Sequence, residues 1–183
     1  QVKSIMNKNY DSLSASEKED LVSWWNLDSV IPDSTTLVYD NHHGGGEILG
    51  GEEVTCGDFS CAVPTDYWSF NSNWTIDQAN NKAISDGSQS GNVSFRQLNS
   101  IMDLTTGSQY KVQFTISGYV AGEINPHIRG NQSGNVSGDG IKTSYITAGS
   151  GSDGINLYAG STFEGSISNI SVKEINGNTG TLS

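Results

Sequence analysis

Residues 109–117 read QYKVQFTIS, and this stretch is the clearest structural signal in the chain. Its apolar residues Tyr110, Val112, Phe114 and Ile116 alternate with polar ones. A helix would instead repeat its apolar positions about every 3.6 residues. Strict alternation is typical of a strand with one face on a core and the other in water. We therefore predict a β-strand here.

Shorter strand patterns lie on both sides of this stretch. Their apolar residues are Val93 with Phe95, Ile124 with Ile128, Ile141 with Ile146, and Ile155 with Leu157. Turns rich in Gly, Ser and Asn separate them, and no helical period intervenes. Pro126 lacks an N–H and so favours an edge position for its strand. The pattern predicts an all-β fold, an antiparallel β-sandwich or jelly roll.

The last strand pattern changes phase along its length. Phe163 and Ile167 share one parity, whereas Ile170 and Val172 share the other. Both sets can face the core only if one extra residue is inserted between them. We therefore predict a β-bulge near Ser168-Asn169.

Two segments bracket the predicted strands. Residues 52–60 read EEVTCGDFS, and residues 165–175 read GSISNISVKEI. We expect the first and last strands to lie close together, which closes one module over residues 52–175. Residues 1–51 then form an N-terminal arm, and residues 176–183 form a C-terminal tail or linker. The chain begins at Gln and ends in a polar stretch, as expected for either a piece of a longer polypeptide or a processed chain.

The arm has a character of its own. Ser14 stands three residues before Glu17, the spacing of a capping box, which predicts a short N-terminal helix. Residues 20–46 resemble the opening of concanavalin-A or laminin-G-like domains, truncated to an extended arm. Trp24 and Trp25 within it are expected to attach the arm to a neighbouring protein.

Histidines and acids in the arm favour a polar loop over a metal site. His42 and His43 are adjacent, with Asp40 and Glu47 nearby. Neighbouring side chains on an extended chain point in opposite directions, so two such histidines rarely bind one ion.

Charge limits the class of partner. The formal net charge is −11 over 183 residues. Binding to nucleic acid or to an anionic membrane surface needs clustered Lys and Arg, so neither is expected. No apolar run is long enough for membrane insertion. Divalent cations remain plausible ligands for an acidic chain.

The two cysteines are close in sequence. Cys56 and Cys61 flank Gly-Asp-Phe-Ser. Zinc would need two further ligands, so two ordinary thiols or a local disulfide are favoured over a metal site. A disulfide would close only a small loop, which limits its effect on stability.

The sequence lacks the motifs that would indicate an enzyme. It has no nucleophile elbow, zinc-binding helix or phosphate loop. Acids that could converge for glycoside hydrolysis are Asp86, Asp103, Glu123, Asp139 and Asp153. Acidic residues in loops are usually solvated, so we expect a non-enzymatic protein.

A family resemblance covers residues 52–175. The segments that carry it are GDFS at 57–60, Trp68 or Trp74, KAIS at 82–85, residues 104–114 and residues 167–174. Together they resemble a carbohydrate-binding-module-like jelly roll of the kind found in marine bacteriophage virion and tail proteins. The resemblance implies a structural virion component, such as a capsid decoration or a tail or fibre module.

The same resemblance implies partners and a location. Other virion proteins and further copies of the chain are the expected partners, and the virion is the expected location. The alternative is a carbohydrate-binding module of a host-recognition fibre or of a secreted polysaccharide-degrading protein. Glycans are then the ligands.

Two kinds of site follow from the resemblance. Related sugar-binding modules hold a structural calcium where the first and last strands meet, and Asp58 and Asn169 stand at those positions. The neutral Asn169 side chain would be a weak ligand, and no other cofactor is expected.

Sugar binding would use exposed aromatic rings, and the candidates are Trp68, Tyr119, Tyr145 and Tyr158. The alternative is that most of these rings fill the core, as is expected of Trp74. Trp68 and Tyr119 lie beside turns, so we expect them to be exposed.

Overall fold

The computed structural model describes residues 47–176, which form two antiparallel β-sheets packed face to face. The strands are β1 (Leu49–Glu52), β2 (Ser69–Phe70), β3 (Trp74–Asp77), β4 (Lys82–Asp86), β5 (Val93–Leu98), β6 (Gln109–Ala121), β7 (Ile124–Ile128), β8 (Asn131–Gln132), β9 (Gly140–Thr147), β10 (Asp153–Ala159) and β11 (Glu164–Ile175). A short helix, α1, spans Asn99–Met102, and 3-10 turns span Pro64–Asp66 and Gln78–Asn80.

The strand order is that of a jelly roll. The first sheet runs β3-β4-β11-β6-β9, with β1 paired to β11, and the second runs β2-β5-β10-β7-β8. The pairs are nested in sequence: β4 pairs with β11, β5 with β10, β6 with β9, and β7 with β8. Successive pairs alternate between the two sheets, as in a long hairpin wound around a core. The prediction of an all-β jelly roll is confirmed.

The alternation of β6 and the phase change of β11 are both explained by burial. Tyr110, Phe114 and the other apolar residues of residues 109–117 are buried, as predicted. The register of β11 on β6 shifts between Ser168 and Ser171, and Asn169 there adopts a positive φ of 50°. Ile167, Ile170 and Val172 are all buried as a result. The predicted bulge is confirmed.

The edge position predicted from Pro126 is wrong. β7 lies between β10 and the two-residue strand β8, which is the outer one. The ladder towards β8 is interrupted beside Pro126, whose carbonyl accepts a hydrogen bond from the Ser133 N–H. Pairing resumes only at an isolated bridge between Ile124 and Val136. The missing N–H is therefore accommodated by a gap in pairing and not by a free edge.

The first and last strands are joined, as expected. β1 pairs with the end of β11, and the Glu52 carboxylate accepts hydrogen bonds from the Val172 N–H at 2.7 Å and the Ser171 hydroxyl at 2.6 Å. The Gly57 carbonyl accepts a bond from the Ile170 N–H at 2.9 Å. The compact unit spans Leu49–Ile175 and so begins slightly before residue 52.

The segment after β1 closes one side of the core. Cys56 and Cys61 form a disulfide, which decides between the alternatives left open by the sequence. The loop between them places Phe59, fully buried, against Trp68 and Phe95, with ring centroids 5.9 and 5.8 Å away. Gln97 on β5 is also fully buried and bonds to both the N–H and the carbonyl of Thr55.

Several predictions fall outside residues 47–176. These are the capping-box helix at Ser14–Glu17, the laminin-G-like segment at 20–46 with Trp24, Trp25, His42 and His43, and residues 177–183 of the tail. In the part of the chain that is described, no helix has the length and apolarity that crossing a bilayer requires.

Candidate functional site

Four connections meet at one end of the sandwich and line a cleft of about 510 Å³. They are the loop from β4 to β5, the turn from β6 to β7, the loop from β8 to β9, and the turn from β10 to β11. Nested antiparallel pairing brings these connections to the same end of the sandwich. Paired strands run in opposite directions, so one strand of each pair ends where its partner begins. We call this the end cleft. Its lining residues are Asn92, Tyr119, Gly122, Glu123, Asn125, Asn135, Ser137, Tyr158 and Gly160 to Thr162.

The backbone of the end cleft is tightly held. The turn at Gly122 has a positive φ of 80°, and a Cβ there would lie 2.3 Å from the Phe163 backbone nitrogen. The Gly160 N–H donates to the Glu123 carbonyl at 2.8 Å. The buried Gln89 amide donates to the carbonyls of Gly160 and Phe163. Three of the four connections are thus fixed to one another.

Two tyrosines from different sheets line the end cleft. Tyr119, at the end of β6, donates its hydroxyl to the Gly122 carbonyl at 3.1 Å, and its N–H bonds to the Asp139 carboxylate. Tyr158, on β10, contacts the His127 ring edge-on at a centroid distance of 4.7 Å. Both rings are half-buried. The structure therefore brings together two of the four aromatic candidates, and their binding of a sugar stays a prediction.

Amides supply most of the polar groups. Asn135 donates its side-chain N–H to the Glu123 carboxylate, and Asn125 donates to the Gln132 side chain at 3.0 Å. The Asn125 Oδ1 is buried without a hydrogen-bond partner among the described residues. These amides are not among the residues that the sequence pattern predicted for sugar binding. Their signal was the abundance of Asn and Ser in the connections that follow strand ends.

The outer face of the second sheet continues from the end cleft. In register, Asn125 is opposite Tyr158, and His127 is opposite Asn156. Burial lowers the pKa of His127 from its usual 6.5, while its hydrogen bond with the Gly130 backbone and the charge of Asp153 act in the other direction. His127 is therefore neutral at neutral pH.

Polar pairs cover the neighbouring part of this face. Arg96 is 3.1 Å from the Asp153 carboxylate, and the Asn156 amide donates to the same carboxylate at 3.2 Å. The Ser94 hydroxyl donates to Asn156 at 2.8 Å. These groups satisfy one another, so the end cleft is the better candidate for a ligand.

Tyr145 lies elsewhere. It is on the outer face of β9 in the first sheet, 49% exposed and opposite Lys111, whose Nζ is 6.0 Å from the ring centroid. With His127 and Gln132 it lines a separate, shallower groove of about 710 Å³ beside the outer strands β8 and β9. It does not line the end cleft with Tyr119 and Tyr158.

The expected exposure of Trp68 is wrong. Trp68 is only 2% exposed, and its indole N–H donates to the Cys56 carbonyl at 3.0 Å. Its ring stacks on Phe95 with centroids 4.9 Å apart, and the disulfide loop places Phe59 beside it. A sugar cannot stack on a ring buried in this way. Trp74 is also 2% exposed, which confirms its assignment to the core.

The residues proposed for calcium fit the ion poorly. Asp58 and Asn169 are both exposed. Asp58 follows Gly57 and Asn169 precedes Ile170, and the Ile170 N–H donates a hydrogen bond to the Gly57 carbonyl. Both Asp58 carboxylate oxygens already accept bonds from the Ser60 N–H and hydroxyl, which lowers the pKa of Asp58. Calcium takes about six to eight oxygen ligands. Within residues 47–176 no three His, Cys, Asp or Glu residues cluster for a metal, so calcium stays a prediction and carries no role here.

The acids considered for hydrolysis are engaged separately. Asp86 accepts bonds from Ser88, Asp139 accepts the Tyr119 N–H, and Asp153 pairs with Arg96. Glu123 is the member of this set that lines the end cleft. Inverting hydrolysis would need a second carboxyl group across the scissile bond, and none lines the cleft among the described residues.

Comparison with known proteins leaves the family of this chain open. No family model matches the chain, and no curated protein matches it. Among solved structures, the chain is similar to the CBM22-1 xylan-binding domain from Paenibacillus barcinonensis Xyn10C. The identity is 9% and the TM-score 0.47, over 70% of this chain and 97% of that domain. The jelly-roll assignment rests on the strand order.

Proposed function

We propose that residues 49–175 are a non-catalytic glycan-binding module whose ligand occupies the end cleft. The observation that carries the proposal is the convergence of four connections on a cleft lined by two tyrosines and several amides. Sugars present apolar C–H faces, which stack on aromatic rings, and hydroxyls, which pair with amides and carboxylates. The end cleft offers both kinds of group within one cavity.

Preorganisation supports the proposal. The Tyr119 hydroxyl is bonded to Gly122, and the Tyr158 ring is packed on His127. Rings that are already positioned lose little conformational entropy on binding, which favours affinity for a weakly hydrophobic ligand. The cleft volume of about 510 Å³ lies in the range of small-ligand sites, which run from about 300 to 1,000 Å³.

The experiment measures binding of the whole chain to a glycan array, followed by calorimetric titration of the best oligosaccharide. Tyr158→Ala removes a ring from the end cleft, and we expect affinity to fall about tenfold, which corresponds to about 1.4 kcal/mol. Tyr145→Ala is the matched control, because that ring is exposed outside the cleft. We expect it to leave affinity within about twofold of the original.

Two results would contradict the proposal. Absence of saturable binding across the array would remove the function itself. Loss of binding in Tyr145→Ala with unchanged binding in Tyr158→Ala would instead place the ligand in the groove beside β8 and β9.

The virion role and the secreted alternative remain predictions. The virion role rests on the resemblance described for residues 52–175 and on Trp24 and Trp25, which lie outside the described residues. The disulfide supports exposure to an oxidising environment, as on a particle surface or outside the cell. A glycan-binding module suits either setting, so glycans are the partner that we propose here.

A further inference from the structure

We propose that the end cleft selects glycans without negative charge and that Glu123 is the residue that excludes acidic ones. The inference rests on the proposed glycan-binding function and names the class of its ligand. The excluded class comprises glycans that contain uronic acids or sulfate groups. The selected class comprises uncharged glycans.

The charge of the end cleft comes from a single residue. Glu123 is the charged member among the described residues that line it, and no Lys or Arg lines it. A site that recognises carboxylates or sulfates normally presents such cations, because charge-assisted bonds to Arg or Lys are the strong ones. The end cleft instead presents the negative charge of Glu123.

The Glu123 carboxylate is positioned to meet a ligand. The Gly160 N–H bonds to its main-chain carbonyl, and the Asn135 amide bonds to Oε2. Its side chain is exposed, and its second oxygen has no hydrogen bond among the described residues. A carboxylate oxygen accepts hydrogen bonds only, so it favours a ligand hydroxyl and repels a ligand carboxylate.

Neighbouring groups reinforce the negative potential. Glu164 is opposite Asp86 in register, where β4 ends and β11 begins at this end of the sandwich. Hydrogen bonds from Ser88 lower the pKa of Asp86 and keep it ionised. The Asp139 carboxylate bonds to the Tyr119 N–H, and the Lys142 ammonium nearby donates to the Asp139 carbonyl. The Lys142 ammonium offsets part of the Asp139 charge, so Glu123 is the charge that an acidic sugar would meet within the cleft itself.

The test uses oligosaccharide pairs with a common backbone that differ mainly in charge. The pairs are cellohexaose and its derivative oxidised to carboxylate at carbon 6, methyl-esterified and free hexagalacturonate, and desulfated and sulfated carrageenan oligosaccharides. We expect at least one uncharged member to bind about fivefold more tightly than its acidic partner at low salt, because two charges about 4 Å apart in water repel by about that factor. The ratio should shrink as salt is added.

Glu123→Gln keeps an acceptor for Asn135 while removing the charge, so we expect it to bring the ratio close to one. Glu174→Gln is the matched control, since Glu174 lies near the far end of the twelve-residue strand β11. It should keep the original ratio.

The outcomes separate the two proposals. Equal or tighter binding of the acidic member by the unaltered chain overturns the charge selection and leaves glycan binding in place. An unchanged ratio in Glu123→Gln overturns the role of that residue. Binding of neither member of any pair, together with no saturable binding across the glycan array, overturns the proposed function and the selection together.

Discussion

Gly57 and Ile170 are in such close contact that a Cβ at residue 57 would lie 1.9 Å from the Ile170 carbonyl oxygen. The Ile170 N–H also donates to the Gly57 carbonyl at 2.9 Å. This contact joins the segment after β1 to the bulge of β11. The closure of the module therefore depends on a residue without a side chain at 57.

We predict that Gly57→Ala destabilises the fold by about 2 kcal/mol, because the added methyl group must push two backbones apart. Urea unfolding followed by circular dichroism measures the change. Gly91→Ala is the control, since a Cβ at residue 91 meets nothing within 4 Å. Equal effects of the two substitutions would contradict the importance of the contact.

We expect Gln97→Met to destabilise the fold, although it preserves side-chain length. Gln97 is fully buried and satisfies both the N–H and the carbonyl of Thr55. Leaving these groups unpaired should reduce the free energy of unfolding by about 2 kcal/mol. Gln113→Met removes only an exposed hydrogen bond to Thr143, so we expect the free energy of unfolding to change by less than about 0.5 kcal/mol. Similar midpoints for the two variants in chemical denaturation would argue against this account.

Reduction of the Cys56–Cys61 disulfide should lower the free energy of unfolding by about 2 kcal/mol, as expected for closure of a short loop. The loop holds Phe59 in the core, so loosening it should also increase exposure of the Trp68 ring. Unfolding curves and tryptophan fluorescence with and without a reductant measure both effects. The Cys56→Ala, Cys61→Ala double variant should be insensitive to the reductant, and a reductant effect in that variant would implicate another cause.

His127 should make stability depend on pH below neutrality. Burial lowers the pKa of His127 from 6.5, so the unfolded chain binds more protons than the folded one between the two pKa values. The contribution of neutral His127 to the free energy of unfolding is fully present above pH 6.5. It is lost as the pH falls through the folded-state pKa of His127. Thermal unfolding from pH 7.5 to pH 5 should show a smaller decrease for His127→Gln than for the unaltered chain. Parallel curves for the two proteins would exclude this role.

Local patterns predicted the strands because burial on one face of a sheet imposes a period of two. The same reasoning located the bulge, since Ile167 and Ile170 can share the core only if a residue is inserted between them. It also placed Trp74 in the core. These features depend on the order of residues along a single strand.

Contacts made by other segments of the chain overturned the remaining predictions. Trp68 beside a turn suggested exposure, yet the disulfide loop places Phe59 beside its ring. Pro126 suggested an edge, yet the short strand β8 lies outside β7. The packing of each depends on a segment whose position the local pattern does not encode.

The sequence by itself determined the all-β class and the position of the bulge, because burial, side-chain alternation and turn chemistry are local. Only the tertiary structure placed Tyr119 and Tyr158 in one cleft and excluded Tyr145 from it. The two rings belong to different sheets, and the nested pairing of strands brings their ends together. Which side chains share a site is therefore decided by strand order and register.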